Sequence, residues 1–106
     1  MIISTTPSIE GKKIINYLGI VSAEVVLGVN FVKDFLAGLN DLFGGRSGTY
    51  ENELIEAKQK VIDELVQRAT IMGANAVVGI DLDFEVLGAN GSMLMVVATG
   101  TAVIIE

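Results

Sequence analysis

Asp81, Asp83 and Glu85 recur at every second position of the stretch Ala76-Val77-Val78-Gly79-Ile80-Asp81-Leu82-Asp83-Phe84-Glu85-Val86. In an extended strand, alternate side chains share a face and lie about 6–7 Å apart. Three carboxylates so placed could hold a hard cation such as Mg²⁺ or Ca²⁺ through oxygen and water. Asp81 and Asp83 could also act as general acid and base, as in glycoside hydrolysis, if a cleft raised the pKa of one of them. The plain structural alternative is the wet side of a half-buried strand, or a subunit boundary, because a strand ladder splays its carboxylates rather than converging them.

A second group is Gly44-Gly45-Arg46-Ser47-Gly48, followed by Tyr50. Glycines let backbone N–H groups converge, Arg46 adds a fork of donors, and a helix N-terminus follows, so Gly44, Gly45, Arg46, Ser47 and Tyr50 could hold a phosphate or carboxylate. The stretch lacks the Gly-Lys-Ser/Thr of a Walker loop. Otherwise it is a tight connection between two helices, with Arg46 paired to a neighbouring carboxylate. Met93 and Met95 could together bind Cu(I), but adaptable thioethers at alternate strand positions are more simply packing.

Much other chemistry is excluded by residue type. The chain contains no His and no Cys. Ser-His-Asp and Cys-His nucleophile systems, histidine acid–base work and Cys- or His-based zinc sites are therefore absent, as are disulfides. A net charge of −6 disfavours nucleic acid, since no basic stripe is present to meet a phosphate backbone.

Several elements must position the candidate residues. Ile2 to Thr5 reads as a short strand, broken by Thr6-Pro7-Ser8. Ile14 to Gly28 reads as a long strand with a bulge or close backbone approach at Gly19. Asn30 caps a predicted helix whose apolar stripe runs through Phe31, Phe35, Leu39 and Leu42 and ends at Gly44-Gly45. Thr49 caps a second helix, with Tyr50, Leu54, Ala57, Val61, Leu65 and Met72, joined by Ile62 and Ala69, on one stripe, and Gly73 as its left-handed stop. The carboxylate strand follows. Its residues Val78, Ile80, Leu82, Phe84 and Val86 are expected to point away from Asp81, Asp83 and Glu85. Asn90-Gly91 predicts a hairpin turn to a last strand, Met93 to Ile105. A two- or four-residue turn there puts Met93, Met95 and Val97 on the face of Ile80, Leu82 and Phe84, and Leu94, Val96 and Ala98 on the carboxylate face.

The order β-β-α-α-β-β predicts a single α+β domain over residues 1–106, an antiparallel sheet with helices packed on one face. Hydrophobic residues make up 51% of the chain and charged ones 19%, and mean hydropathy is +0.59. So small a domain needs help to hide that much apolar surface, from a membrane or from sister subunits. The longest apolar run, Ile14 to Val32, carries Glu24 at its middle, and a charge at the bilayer centre costs about 2.5–3.5 kcal/mol. Met93 to Ile105 is too short for a spanning helix. The start Met1-Ile2-Ile3-Ser4-Thr5-Thr6-Pro7 has neither a basic region nor a cleavage site, so no secretory signal is expected. Assembly with copies of itself is the expectation, in the cytoplasm, with no membrane, no nucleic acid and no cofactor.

Ser4-Thr5-Thr6-Pro7, Gly44-Gly45-Arg46-Ser47-Gly48 with Tyr50-Glu51, the run Gly73 to Asp81, Asn90-Gly91-Ser92-Met93-Leu94-Met95 and Thr99-Gly100-Thr101-Ala102-Val103 resemble the YbjQ-like family in matching order over nearly the whole chain. That is a small bacterial and archaeal family of unestablished function that carries a heavy-metal-binding label. The resemblance implies a fold akin to dodecin subunits and a homopentameric ring, and it implies no reaction. Soft heavy metals prefer thiolate and imidazole, which this chain lacks. The expectation is therefore a non-enzymatic, ring-forming binding or scaffold domain with an unknown small ligand. The alternatives are a metal-binding module using Asp81, Asp83 and Glu85, and an enzyme with an inter-subunit site built from Arg46, Ser47, Tyr50 and a carboxylate of the next chain.

Overall fold

A computed structural model describes residues 1–28, 48–88 and 93–106. In chain order the elements are β1 (Ile2–Ile3), β2 (Ile14–Leu27), α1 (Gly48–Ile71), β3 (Ala76–Leu87) and β4 (Met93–Ile105). The helix predicted over 31–43, the glycine loop up to Ser47 and the Asn90-Gly91 turn lie outside the described residues. α1 begins at Gly48, so Thr49 stands within the first turn rather than before it.

The four strands form one sheet in the order β1-β3-β4-β2. β4 lies between β2 and β3 and is antiparallel to both, whereas β1 runs parallel to β3. The sheet is therefore mixed, which corrects the antiparallel expectation. β1 precedes a long strand and a helix, and that excursion returns the chain to β1's own end of the sheet, from which β3 departs in the same direction.

α1 packs on one face. Its Ala57, Val61, Leu65 and Ala69 are buried against Val21 and Ala23 of β2, Val77 and Ile80 of β3, and Val96, Ala98 and Ala102 of β4. Burying Leu65 or Val61 contributes about 1.5–3 kcal/mol each, and the many alanines let helix and sheet backbones approach. The helix stops as its sequence dictates. Gly73 takes a φ of 94°, its N–H donates to the Thr70 carbonyl, and the Ala74 N–H reaches back to the Ala69 carbonyl, both at 3.0 Å. This Schellman arrangement satisfies carbonyls that the helix end would leave bare. On the opposite face a smaller cluster, Ala76, Val78, Val103 and Ile105, is covered by Ile9 and Ile14.

Two sequence expectations about side-chain direction are corrected. Val78 pairs with Thr101 and Asp81 with Thr99, leaving Gly79 and Ile80 opposite Gly100 alone. This bulge, with Gly79 at a φ of 63°, adds a residue and reverses the alternation. Val78 therefore points away from α1 while Ile80 joins the helix-side core. The hairpin parity is also reversed. Leu87 pairs with Met93 and Phe84 with Val96, so five residues, 88–92, separate the paired ends. An odd number sets the opposite face from a two- or four-residue turn. Leu94, Val96 and Ala98 therefore share the helix side with Leu82, Phe84 and Val86, and Met95, Val97 and Thr99 share the open face with Glu85, Asp83 and Asp81. The strand irregularity expected near Gly19 is present, as a register shift between Tyr17 and Gly19, with Gly19 at a φ of 128°.

Candidate functional site

Asp81, Asp83 and Glu85 stand on the open face of β3, opposite Thr99, Val97 and Met95. The strand's pleat holds them in a row. The Asp83 carboxyl is pushed above the ordinary aspartate range, first by a hydrogen bond with Asp81, then by the Asp81 charge, partial desolvation and the Glu85 charge. The raised Asp83 carboxyl stands beside Asp81 on an exposed strand. Among the described residues, no three carboxylates, thiolates or imidazoles converge on a point where a metal ion could be held. The row expected from the sequence exists, but one chain does not fold it into a coordination sphere.

The edge of β3 beside this row has two parts. Beyond β1, the chain stays against β3: the Ser4 N–H donates to the Val77 carbonyl (2.9 Å), the Ile80 N–H to the Ser4 carbonyl (3.1 Å) and the Gly79 N–H to the Thr6 carbonyl (2.8 Å). The bulge turns the Gly79 and Ile80 amides toward this segment, and the Thr6 N–H in turn finds the Ser4 hydroxyl at 3.0 Å. Past Ile80, no described strand pairs with β3 on that side. There an open groove of ≈ 590 Å³ lies between Ile3, Ser4 and Thr5, Ile62 of α1, and Ile80, Asp81 and Leu82. Its walls are apolar, with Ser4, Thr5 and Asp81 as the polar groups. In the sequence Thr6-Pro7-Ser8 reads only as the break after the first strand, and periodicity cannot show that this segment docks on the bulge.

The other edge of the sheet is β2, whose outer side also lacks a described partner. Arg68 reaches it from α1. Its Nη1 donates to the Ser22 carbonyl at 2.7 Å and lies 3.7 Å from Glu24 Oε2, while Nη2 is 3.2 Å from Glu64 Oε1 one turn earlier on the helix. Ala23 and Val25 face α1, so Glu24 belongs to the opposite face. A contact from the helix to Glu24 has to pass round the outer edge of β2. Apolar side chains also stand exposed along this strand, including Ile20 at 83% and Tyr17 at 68%. Sequence reading missed Arg68, because nothing in its spacing says that it wraps a strand edge.

Of the predicted anion site, Gly44, Gly45, Arg46 and Ser47 and the side chain of Tyr50 lie outside what is described, so no geometry joins them to the carboxylate row. Met93 and Met95 are half-buried, opposite Leu87 and Glu85. Among the described residues, no helix is long and apolar enough to cross a membrane.

Residues 1–106 match the family described as "Putative heavy-metal-binding". The chain is 64% identical to a UPF0145 protein of Clostridium botulinum (strain Eklund 17B / Type B) over 106 residues, covering all of both chains. It is 60% identical to a UPF0145 protein of Acetivibrio thermocellus, again covering both completely. It is also 60% identical to a UPF0145 protein of Listeria ivanovii, covering all of this chain and 96% of the relative. A crystal structure of a protein of unknown function from Pediococcus pentosaceus, assigned to the DUF74 family, superposes with a TM-score of 0.68 at 19% identity, over 100% of this chain and 98% of that one. At that identity the likeness concerns the fold alone.

Proposed function

The chain belongs to the YbjQ family, and from the two sheet edges that no described strand covers we propose that it is a non-enzymatic, ring-forming binding or scaffold domain built from copies of itself. The carrying observation is the pair of edges. Among the described residues no strand pairs with the outer side of β2, 14 residues long, or with that of β3 past Ile80. Unpaired strand backbone beside exposed apolar side chains drives strand addition. A head-to-tail ring satisfies every such edge and leaves no end. The number five comes from the resemblance to the YbjQ-like family, and a cytoplasmic setting belongs to the same proposal.

The heavy-metal label does not fit the donors at hand. Soft metals select thiolate and imidazole, and the sequence has neither Cys nor His. A hard cation held by Asp81, Asp83 and Glu85 is the second reading. It draws on their shared face and on the raised Asp83 carboxyl, and it requires that assembly bring further oxygen ligands to the row. Light scattering after size exclusion tests the primary reading: a multi-subunit mass at micromolar concentration is expected, and a well-behaved monomer would overturn it. Added Mg²⁺ or Ca²⁺ that raises the melting temperature would favour the second.

A further inference from the structure

Resting on the ring-forming reading above, we propose that the seam between copies is β2 of one subunit against β3 of the next, and that Arg68 is the interfacial counterion that makes this carboxylate-rich seam stable.

Of the pairings between copies, only this one uses both edges left without a partner among the described residues. A contact of β3 with β3 would set two rows of Asp81, Asp83 and Glu85 against each other, and like charges directly opposite across strands are destabilising. It would also leave β2 open. A contact of β2 with β2 leaves β3 open. β2 and β3 are both antiparallel to β4, so they run in the same direction at opposite sides of the sheet. Rotation about an axis along the strands therefore brings them together as a parallel pair, and repetition of that step closes a ring.

The rows of the sheet place Arg68 at the right level. Ser22 and Asp81 both stand opposite Thr99, and Glu24 and Asp83 both stand opposite Val97. The same rotation keeps each row at its level, so Ser22 and Glu24 of one subunit meet the level of Asp81 and Asp83 of the next. Without a cation, Glu24 would oppose that acidic pair. Arg68 already lies there, bound to the Ser22 carbonyl and beside Glu24, so at this level the two edges meet through its guanidinium and not through backbone hydrogen bonds. A guanidinium has five N–H donors in a planar fork and can hold carboxylates on both sides of the seam.

The test is Arg68→Gln, followed by light scattering across a dilution series, with circular dichroism as the check on folding. The variant is expected to dissociate at a concentration at least tenfold higher than wild type. Adding Asp83→Asn to the same chain removes one of the stranded carboxylates and should recover most of the loss. Asp83→Arg provides an independent arm, because its exposed side chain is no part of the core, and it should also break the assembly by facing Arg68. Unchanged assembly in Arg68→Gln or in Asp83→Arg, or no recovery in the double variant, would overturn the seam while leaving the ring-forming reading intact. A monomeric wild type would remove both.

Discussion

Gly100 of β4 lies so close to Val77 of β3 that a β-carbon at position 100 would stand 2.7 Å from Val77 Cγ1. It would also lie 3.2 Å from the Ile80 side chain and from the Val78 carbonyl. The bulge at Gly79-Ile80 draws β3 in over this one residue, and only hydrogen fits beneath it. The close approach holds the bulge that turns the Gly79 and Ile80 amides to the N-terminal segment. Gly100→Ala is therefore expected to destabilise the chain by about 1–3 kcal/mol, the usual cost of overpacking, as measured by urea unfolding. A stability equal to wild type would show that the bulge can relax at no cost.

The register of the last hairpin has its own test. Val96 is fully buried beneath α1, while its neighbour Val97 is half-buried on the open face. A carboxylate at 96 has no partner there, and the several kcal/mol lost are comparable with the whole stability of a domain. Val96→Asp should abolish the folded state, read as loss of soluble protein or of the far-ultraviolet dichroism. Val97→Asp should keep the secondary structure of the chain. The reverse outcome would restore the parity that the sequence alone suggested.

Much of the framework was legible in the sequence because it rests on local chemistry. The stripe Ala57, Val61, Leu65 and Ala69 forms the buried helix face, and Gly73 takes the left-handed conformation expected of it. The position of Asp81, Asp83 and Glu85 on one face was legible for the same reason, a period of two. Quantities that depend on counting across a break were not. One bulge residue at Gly79-Ile80 reversed Val78, and an odd number of residues between Leu87 and Met93 reversed the whole of β4. The parallel pairing of β1 was hidden because only two residues of it pair. Arg68 was hidden because wrapping an edge depends on where the helix lies over the sheet.

The Asp81–Asp83 pair predicts a pH dependence of known sign. The Asp83 carboxyl is raised in the folded chain above its ordinary value of 3.8, so the folded state binds this proton more tightly than the unfolded state does. Stability then falls as pH rises through that window. The cost of ionising Asp83, which breaks its hydrogen bond to Asp81 and sets like charges side by side, is fully present above the folded pKa and absent below 3.8. Asp83→Asn should be more stable than wild type near pH 7, and the difference should shrink toward pH 4. Chemical denaturation at the two pH values measures it. A difference independent of pH would mean that the carboxyl is not raised.

Metal binding separates the family label from the chemistry of this chain. Zn²⁺, Cd²⁺ and Cu²⁺ reach high affinity in proteins through thiolate and imidazole, which this sequence lacks; among the described residues the donors on the open face of β3 and β4 are the carboxylates and the Met95 thioether opposite Glu85. Asp81, Asp83 and Glu85 lie along a single strand whose pleat spaces alternate residues about 6–7 Å apart; the Asp81 and Asp83 carboxyls meet, but among the described residues no three donors converge on one ion. Calorimetric titration of the full-length chain with each of these metals should give weak binding, with affinities no tighter than micromolar. A stoichiometric submicromolar site would overturn this expectation. Its loss in Asp83→Asn would then locate the metal at the carboxylate row, and its survival there with loss in Met95→Leu would locate it at the thioethers.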